Sequence, residues 1–211
     1  MVSEREAEVR PTWGNAASVA ALWPHAWRPL HLIWCGTVAA YGAGIFVQSM
    51  LAQTGGTYSA PLDDVFIHFD YARSAARGYP LEWTPGNGIS SGNTSLLYPF
   101  VLAAGYWAHF RGLELVVWAL LVAWASVTGY LHAVGRLVDP VGRWARFVLA
   151  PGGIALGALQ WSLWSGMENA LHLGVWGAML AAVLAAERRL TAGAFLARTS
   201  LAGGGLGAPP V

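Results

Sequence analysis

Apolar residues occur along this chain in long blocks separated by short polar intervals. The first block runs from Leu30 to Leu51 without a formal charge. A polar interval follows from Gln53 to Thr94, rich in Gly, Pro, Ser and Asn and holding Asp63, Asp64, Asp70 and Glu82. Apolar character returns at Leu96–Phe110, breaks at Arg111-Gly112 and resumes over Leu113–Val134. A charged loop, Arg136–Arg146, contains Asp139 and Pro140. Two further runs, Phe147–Trp164 and Ala170–Ala186, flank a short polar patch, Ser165-Gly166-Met167-Glu168-Asn169, and Glu187-Arg188-Arg189 closes the last run. A bilayer core about 30 Å thick takes about 20 apolar residues as helix. An open sheet leaves unsatisfied edges in lipid, so the spans are helical. The pattern predicts an all-α, polytopic transmembrane helix bundle of roughly four or five spans. It divides the chain into a polar tail (1–29), a transmembrane domain (30–190) and an unstructured tail (191–211), where Gly203-Gly204-Gly205, Gly207 and Pro209-Pro210 break any pattern.

Composition agrees with this reading. Hydrophobic residues make up 55% of the 211 and charged residues only 11%, against about 25% charged in soluble domains. Twelve Trp suit a protein that places indoles at the water–lipid boundary. The net charge of +1 provides no basic field, so nucleic acid is not an expected partner. A single cysteine, Cys35, lies inside an apolar run and rules out a disulfide within the chain; it reads as a small apolar filler.

Orientation follows partly from arginine. Arg5, Arg10 and Arg28 precede the first span and place the N-terminus inside and the 53–94 loop outside a cell membrane, the inner one where there are two. The run 96–110 is short for a crossing, at about 22 Å of helix. If it enters partway and returns, the Arg136–Arg146 loop falls inside and Ser165–Asn169 outside, so that both acidic patches share one face. That arrangement is preferred.

The 53–94 loop holds the candidate chemistry. From Asp63 onward, Val65, Phe69, Ala72 and Ala76 recur at helical spacing and predict an amphipathic helix on the membrane surface, ended by Arg77 and Gly78. Asp63 and Asp64 stand at its N-terminus, where a carboxylate caps free N–H groups. A cap uses one carboxylate. The second adds repulsion unless a proton or cation answers it, so the pair suits a general base or a divalent cation such as Mg or Mn. His68 lies one turn after Asp64 and reads as a surface residue within reach of it. Arg73 and Arg77 share a face with Asp70, to pair with it or with phosphate. In the following turn-rich segment, Asn93, Thr94 and Ser95 can hydrogen-bond sugar hydroxyls, or Thr94 or Ser95 can cap the next helix.

Taken in order, the stretches Asp63–Gly78, Trp83–Pro99 and Trp164–Leu171 resemble bacterial membrane glycosyltransferases of the GT-C fold, akin to polyprenyl-phosphate arabinosyl- and mannosyltransferases. The resemblance covers roughly residues 30–190 and implies the N-terminal half of that fold. It implies that the first extracytoplasmic loop carries the active site and that Asp63 is the base deprotonating an acceptor hydroxyl on a glycan or lipid. Asp64 would supply metal or hydrogen-bond support. The acceptor oxygen would displace polyprenyl phosphate from the donor sugar with inversion, Arg73 would meet the departing phosphate, and Glu168 would contribute from the second patch. The family has Arg where this chain has Asp70, and a Glu before the Thr-Ser pair where this chain has Ser90 and Ser91. Its members are also longer, which makes the chain read as a fragment. The alternative is a non-enzymatic small membrane subunit or an inactive remnant of the same fold. A small transporter ranks last, because no span carries a formal charge at its middle.

Overall fold

The computed structural model describes residues 27–142 and 144–203. It is all-helical, with no strand among the described residues. The elements are α1 (Trp27–Gln53), α2 (Asp64–Ala76), α3 (Tyr98–Trp107), α4 (Leu115–Leu137), α5 (Ala145–Gly153), α6 (Gly157–Trp164) and α7 (Asn169–Gly203). The expected N-terminal tail lies almost wholly outside the described residues. Over 191–203 the expected unstructured tail is helical, because α7 continues to Gly203, and the rest of that tail lies outside the described residues. Thr191–Ala202 is built largely of Ala, Leu and Arg, strong helix formers that carry a helix on after the apolar run stops.

Among the described residues, three helices are long and apolar enough to cross a membrane: Pro29–Gln53, Gly112–Leu137 and Asn169–Ala194. A fourth crossing arises if α5 and α6, bent by 78° at a short break, form one interrupted span. The run 96–110 is not a crossing. Its helix α3 has ten residues, about 15 Å of rise against a hydrocarbon core of about 30 Å.

The packing fixes which ends lie together. Phe147 at the start of α5 packs on His31 and Trp34 at the start of α1. Trp161 near the end of α6 shares a cavity with Phe46, Ser49, Met50 and Gln53 near the end of α1. The broken pair therefore runs from one end of the bundle to the other. The loop after α1 and the turn before α7 meet at one end, with the α4–α5 loop at the other. Within the break, Gln160 donates from Nε2 to the Ile154 carbonyl at 2.7 Å and accepts from Trp164 Nε1 at 2.7 Å. Side chains thus satisfy a carbonyl that the interrupted helix leaves free, as an apolar surrounding requires.

α4 is the central helix, with α1, α3, α5, α6 and α7 all packed on it. Val127 and Leu131 on it are fully buried. α7 lies very close, because a Cβ at Gly174 would stand 2.9 Å from the Ser126 carbonyl oxygen and 3.0 Å from its Cα. Small residues at such a crossing bring backbones into dispersion contact where no hydrophobic force between helices is available. Tryptophan adds polar ties. Trp124 Nε1 donates to the Gly36 carbonyl (3.0 Å), Trp118 to Val101 (3.0 Å), Trp34 to Phe147 (3.2 Å) and Trp107 to Ala76 (3.0 Å). These indoles join α4 to α1 and α3, α1 to α5 and α3 to α2, a role beyond marking the lipid boundary.

Gly174→Val should separate α4 from α7 and cost about 1–3 kcal/mol, read as a lower melting temperature in detergent, whereas Gly152→Ala, in open space, should leave it nearly unchanged. For topology, single cysteines at the exposed Asn87 and Gly142 should react with an impermeant thiol reagent from opposite faces of the membrane, buried Cys35 staying silent. Labelling of both from one face would rule out α4 as the single crossing between them.

Candidate functional site

α2 forms because its apolar positions repeat at helical spacing and its two ends carry stop signals. Val65, Phe69 and Ala72 are buried, as the stripe requires. At the C-terminus Gly78 adopts φ 91°, and its N–H and that of Tyr79 donate back to Ala75 and Ser74. At the N-terminus Asp63 accepts from the Asp64 N–H at 3.1 Å, and both carboxylates are exposed. The pair expected to carry the chemistry stands open to solvent on a rigid helix start.

His68 differs from its expectation as a surface residue beside Asp64. It is 1% exposed and points into the bundle end. Its Nδ1 lies 2.8 Å from Asn93 Oδ1 and its Nε2 3.1 Å from Glu168 Oε2. Asn93 donates from Nδ2 to the Ser95 carbonyl, which fixes its amide with Oδ1 toward His68. Both ring nitrogens thus face side-chain oxygens. The hydrogen-bonding contact from His68, bent rather than linear, holds the Glu168 carboxyl below its ordinary value of 4.5, outweighing the upward push of burial. The three stretches singled out in the sequence are therefore joined through His68, Asn93 and Glu168.

Tyr98 completes this layer. Its hydroxyl donates to the Gly166 carbonyl at 2.7 Å, and its ring packs edge-on against His68. Burial, with the negative charge of Glu168 nearby, raises the Tyr98 hydroxyl well above its ordinary value of 10.0, so it remains a neutral donor. Gly166 has φ 93°, and a Cβ there would come within 3.1 Å of Val65 Cγ1, so the turn before α7 closes directly onto α2. Sequence reading missed Tyr98, because an aromatic inside an apolar run carries no mark of its hydroxyl's partner.

The segment from 83 to 95 is pinned to α2 at several points. The Tyr71 hydroxyl donates to Ser90 Oγ at 2.7 Å and accepts from the Gly92 N–H at 3.0 Å; Ser74 Oγ donates to the Trp83 carbonyl at 3.0 Å. Trp83 Nε1 donates to Asp70 Oδ2, and Asp70 Oδ1 pairs with Arg73 at 2.9 Å. Arg73 keeps a partly exposed side chain, while its Nε is buried without an acceptor. Thr94 is exposed, and Ser95 is buried, its Oγ accepting from the Tyr98 N–H at 3.4 Å. Of the sequence-named residues, Asp63, Asp64, Thr94 and part of Arg73 face outward, while His68, Asn93, Ser95 and Glu168 lie at least half-buried behind them. Among the described residues, no third His, Cys, Asp or Glu joins Asp63 and Asp64 within metal-binding reach.

Comparison of the chain with models of known protein families, with curated proteins and with solved structures finds no match.

Glu168→Gln should remove the anionic partner of His68 and cost about 1–3 kcal/mol at neutral pH. Because the folded-state carboxyl titrates below 4.5, its contribution is complete above that value and is lost as the pH falls through the folded value. Melting temperatures of wild type and Glu168→Gln in detergent should therefore differ near neutrality, and the difference should shrink as the pH is lowered below 4.5. A constant difference across that range would show that Glu168 acts through packing and not through its charge.

Proposed function

We propose that the chain is a membrane glycosyltransferase of the GT-C type that transfers a sugar from a polyprenyl-phosphate donor to an acceptor hydroxyl on the outer side of a cell membrane. The observation that carries this reading is the joining of the Asp63–Gly78, Trp83–Pro99 and Trp164–Leu171 stretches by the His68, Asn93 and Glu168 contacts beneath the exposed Asp63-Asp64 pair. A base needs a fixed position, and catalytic groups are held to within about 0.5 Å by the residues behind them. His68, Glu168 and Tyr98 supply that backing here.

Asp63 accepts the proton of the acceptor hydroxyl. The acceptor oxygen then forms a bond to the anomeric carbon as the bond from that carbon to the phosphate oxygen breaks, and the electron pair leaves with polyprenyl phosphate. Attack from the face opposite the leaving group inverts the configuration. Asp64 supports the acceptor directly or through a divalent cation; such ions are commonly held by one or two carboxylates together with substrate phosphates. Arg73 is the cation on α2 best suited to the phosphate, having a buried Nε donor without an acceptor. Nine residues of helix separate it from Asp64, about 14 Å along the axis. Asp70 shares the Arg73 charge and limits its pull.

Asn caps a helix about as well as Asp, so Asp63→Asn separates the two roles of this residue. In membranes carrying the chain at its native locus and given labelled polyprenyl-phosphate sugars, the variant should lose at least about 100-fold in transfer, with insertion and helix content unchanged. Undiminished transfer would remove Asp63 from the mechanism.

A further inference from the structure

At the bundle end remote from the acidic loop, three nitrogen and sulfur donors meet between α1 and α4. His31 and Cys35 stand one turn apart on α1, and His132 faces them from α4. His31 and Cys35 are fully buried and His132 is half-buried. His31 Nδ1 lies 3.1 Å from His132 Nδ1, and His31 Nε2 lies 3.5 Å from Cys35 Sγ. One ligand atom from each residue falls within 4.8 Å of the other two. The surrounding packing makes room for these rings. A Cβ at Gly135 would stand 2.3 Å from His31 Cε1, and Phe147 closes edge-on over the same ring at 5.4 Å. Polar side chains gathered inside a span are uncommon without a purpose.

We infer that His31, Cys35 and His132 form a binding site for a monovalent, thiophilic d10 cation, for which Cu(I) is the probe. The donor set points this way, since thiolate with imidazole selects soft and borderline metals, and among the described residues no carboxylate joins it to favour a hard ion. Charge narrows the choice further. On binding, the Cys35 S–H bond breaks, the proton leaves to solvent and a metal–sulfur bond forms. A monovalent ion with one thiolate is then neutral, whereas a divalent ion leaves a net positive charge in a low-dielectric site. Bonds as short as those zinc makes, about 2.0 Å to nitrogen and 2.3 Å to sulfur, set trigonal donors about 3.5–4 Å apart, which side-chain rotation reaches from ligand atoms now within 4.8 Å of one another. The bound ion would clamp α1 to α4 across the bundle from the Asp63-Asp64 pair, independently of the proposed transfer.

The test uses the full chain purified in detergent under anaerobic reducing conditions, with Cu(I) shared against a chromogenic chelator. The expected result is one Cu(I) per chain, with X-ray absorption showing one sulfur and two nitrogen neighbours and a raised melting temperature on binding. Cys35→Ser and His132→Gln should each weaken binding by at least about 100-fold. Circular dichroism and elution profile establish that each variant is folded, and the half-buried position of His132 keeps one variant usable if the other misfolds. Equal retention of Cu(I) by wild type and folded variants, failure of wild type to hold Cu(I), or tighter retention of Zn(II) than of Cu(I) would each overturn the assignment.

Discussion

The buried contact between His68 on α2 and Glu168 before α7 decides how the polar end of this bundle is arranged. A carboxylate and an imidazole withdrawn from water need each other, because either one left alone in the interior carries an uncompensated desolvation cost. Meeting that need brings the loop after α1 and the turn before α7 to the same place. Asn93 is then drawn in by the other ring nitrogen, and with it the segment that Tyr71 and Ser74 hold against α2. The exposed Asp63 and Asp64 acquire a fixed platform through contacts that neither of them makes.

The same rule, that no polar group stays unanswered in an apolar surrounding, governs the rest of the bundle. Gln160 answers the Ile154 carbonyl where α5 gives way to α6, and Trp164 answers Gln160. Indole N–H groups of Trp34, Trp107, Trp118 and Trp124 find backbone carbonyls on neighbouring helices. A chain so poor in charge has few ion pairs to set helix register, and directed hydrogen bonds from aromatic residues take that part.

The two clusters of titratable side chains lie at opposite ends of α4 and differ in kind. Around α2 the donors and acceptors are oxygen and nitrogen, arranged behind an open pair of acids. At His31, Cys35 and His132 they are sulfur and nitrogen, enclosed between two spans. The first arrangement suits proton transfer from a solvent-borne hydroxyl to a carboxylate, and the second suits a soft ion removed from water.

Helical class, the long apolar spans and the amphipathic helix over 64–76 were legible in the chain, because burial in lipid and along one helix face imposes periodic or continuous apolar patterns. The length of the run 96–110 also marked it as short for a crossing. The positions of Asp63 and Asp64 at a helix start followed from local capping chemistry. Local spacing paired His68 with Asp64, yet the ring turned to Asn93 and Glu168, since a partner distant in sequence leaves no trace in the residues nearby. Cys35 was likewise read alone, as an apolar filler, and nothing in the sequence marked His31 or His132 as its neighbours. Only the packing of α1 on α4 brought them together, because contact between helices depends on which faces meet, and a single helix's pattern shows that a face is apolar without showing what lies across from it.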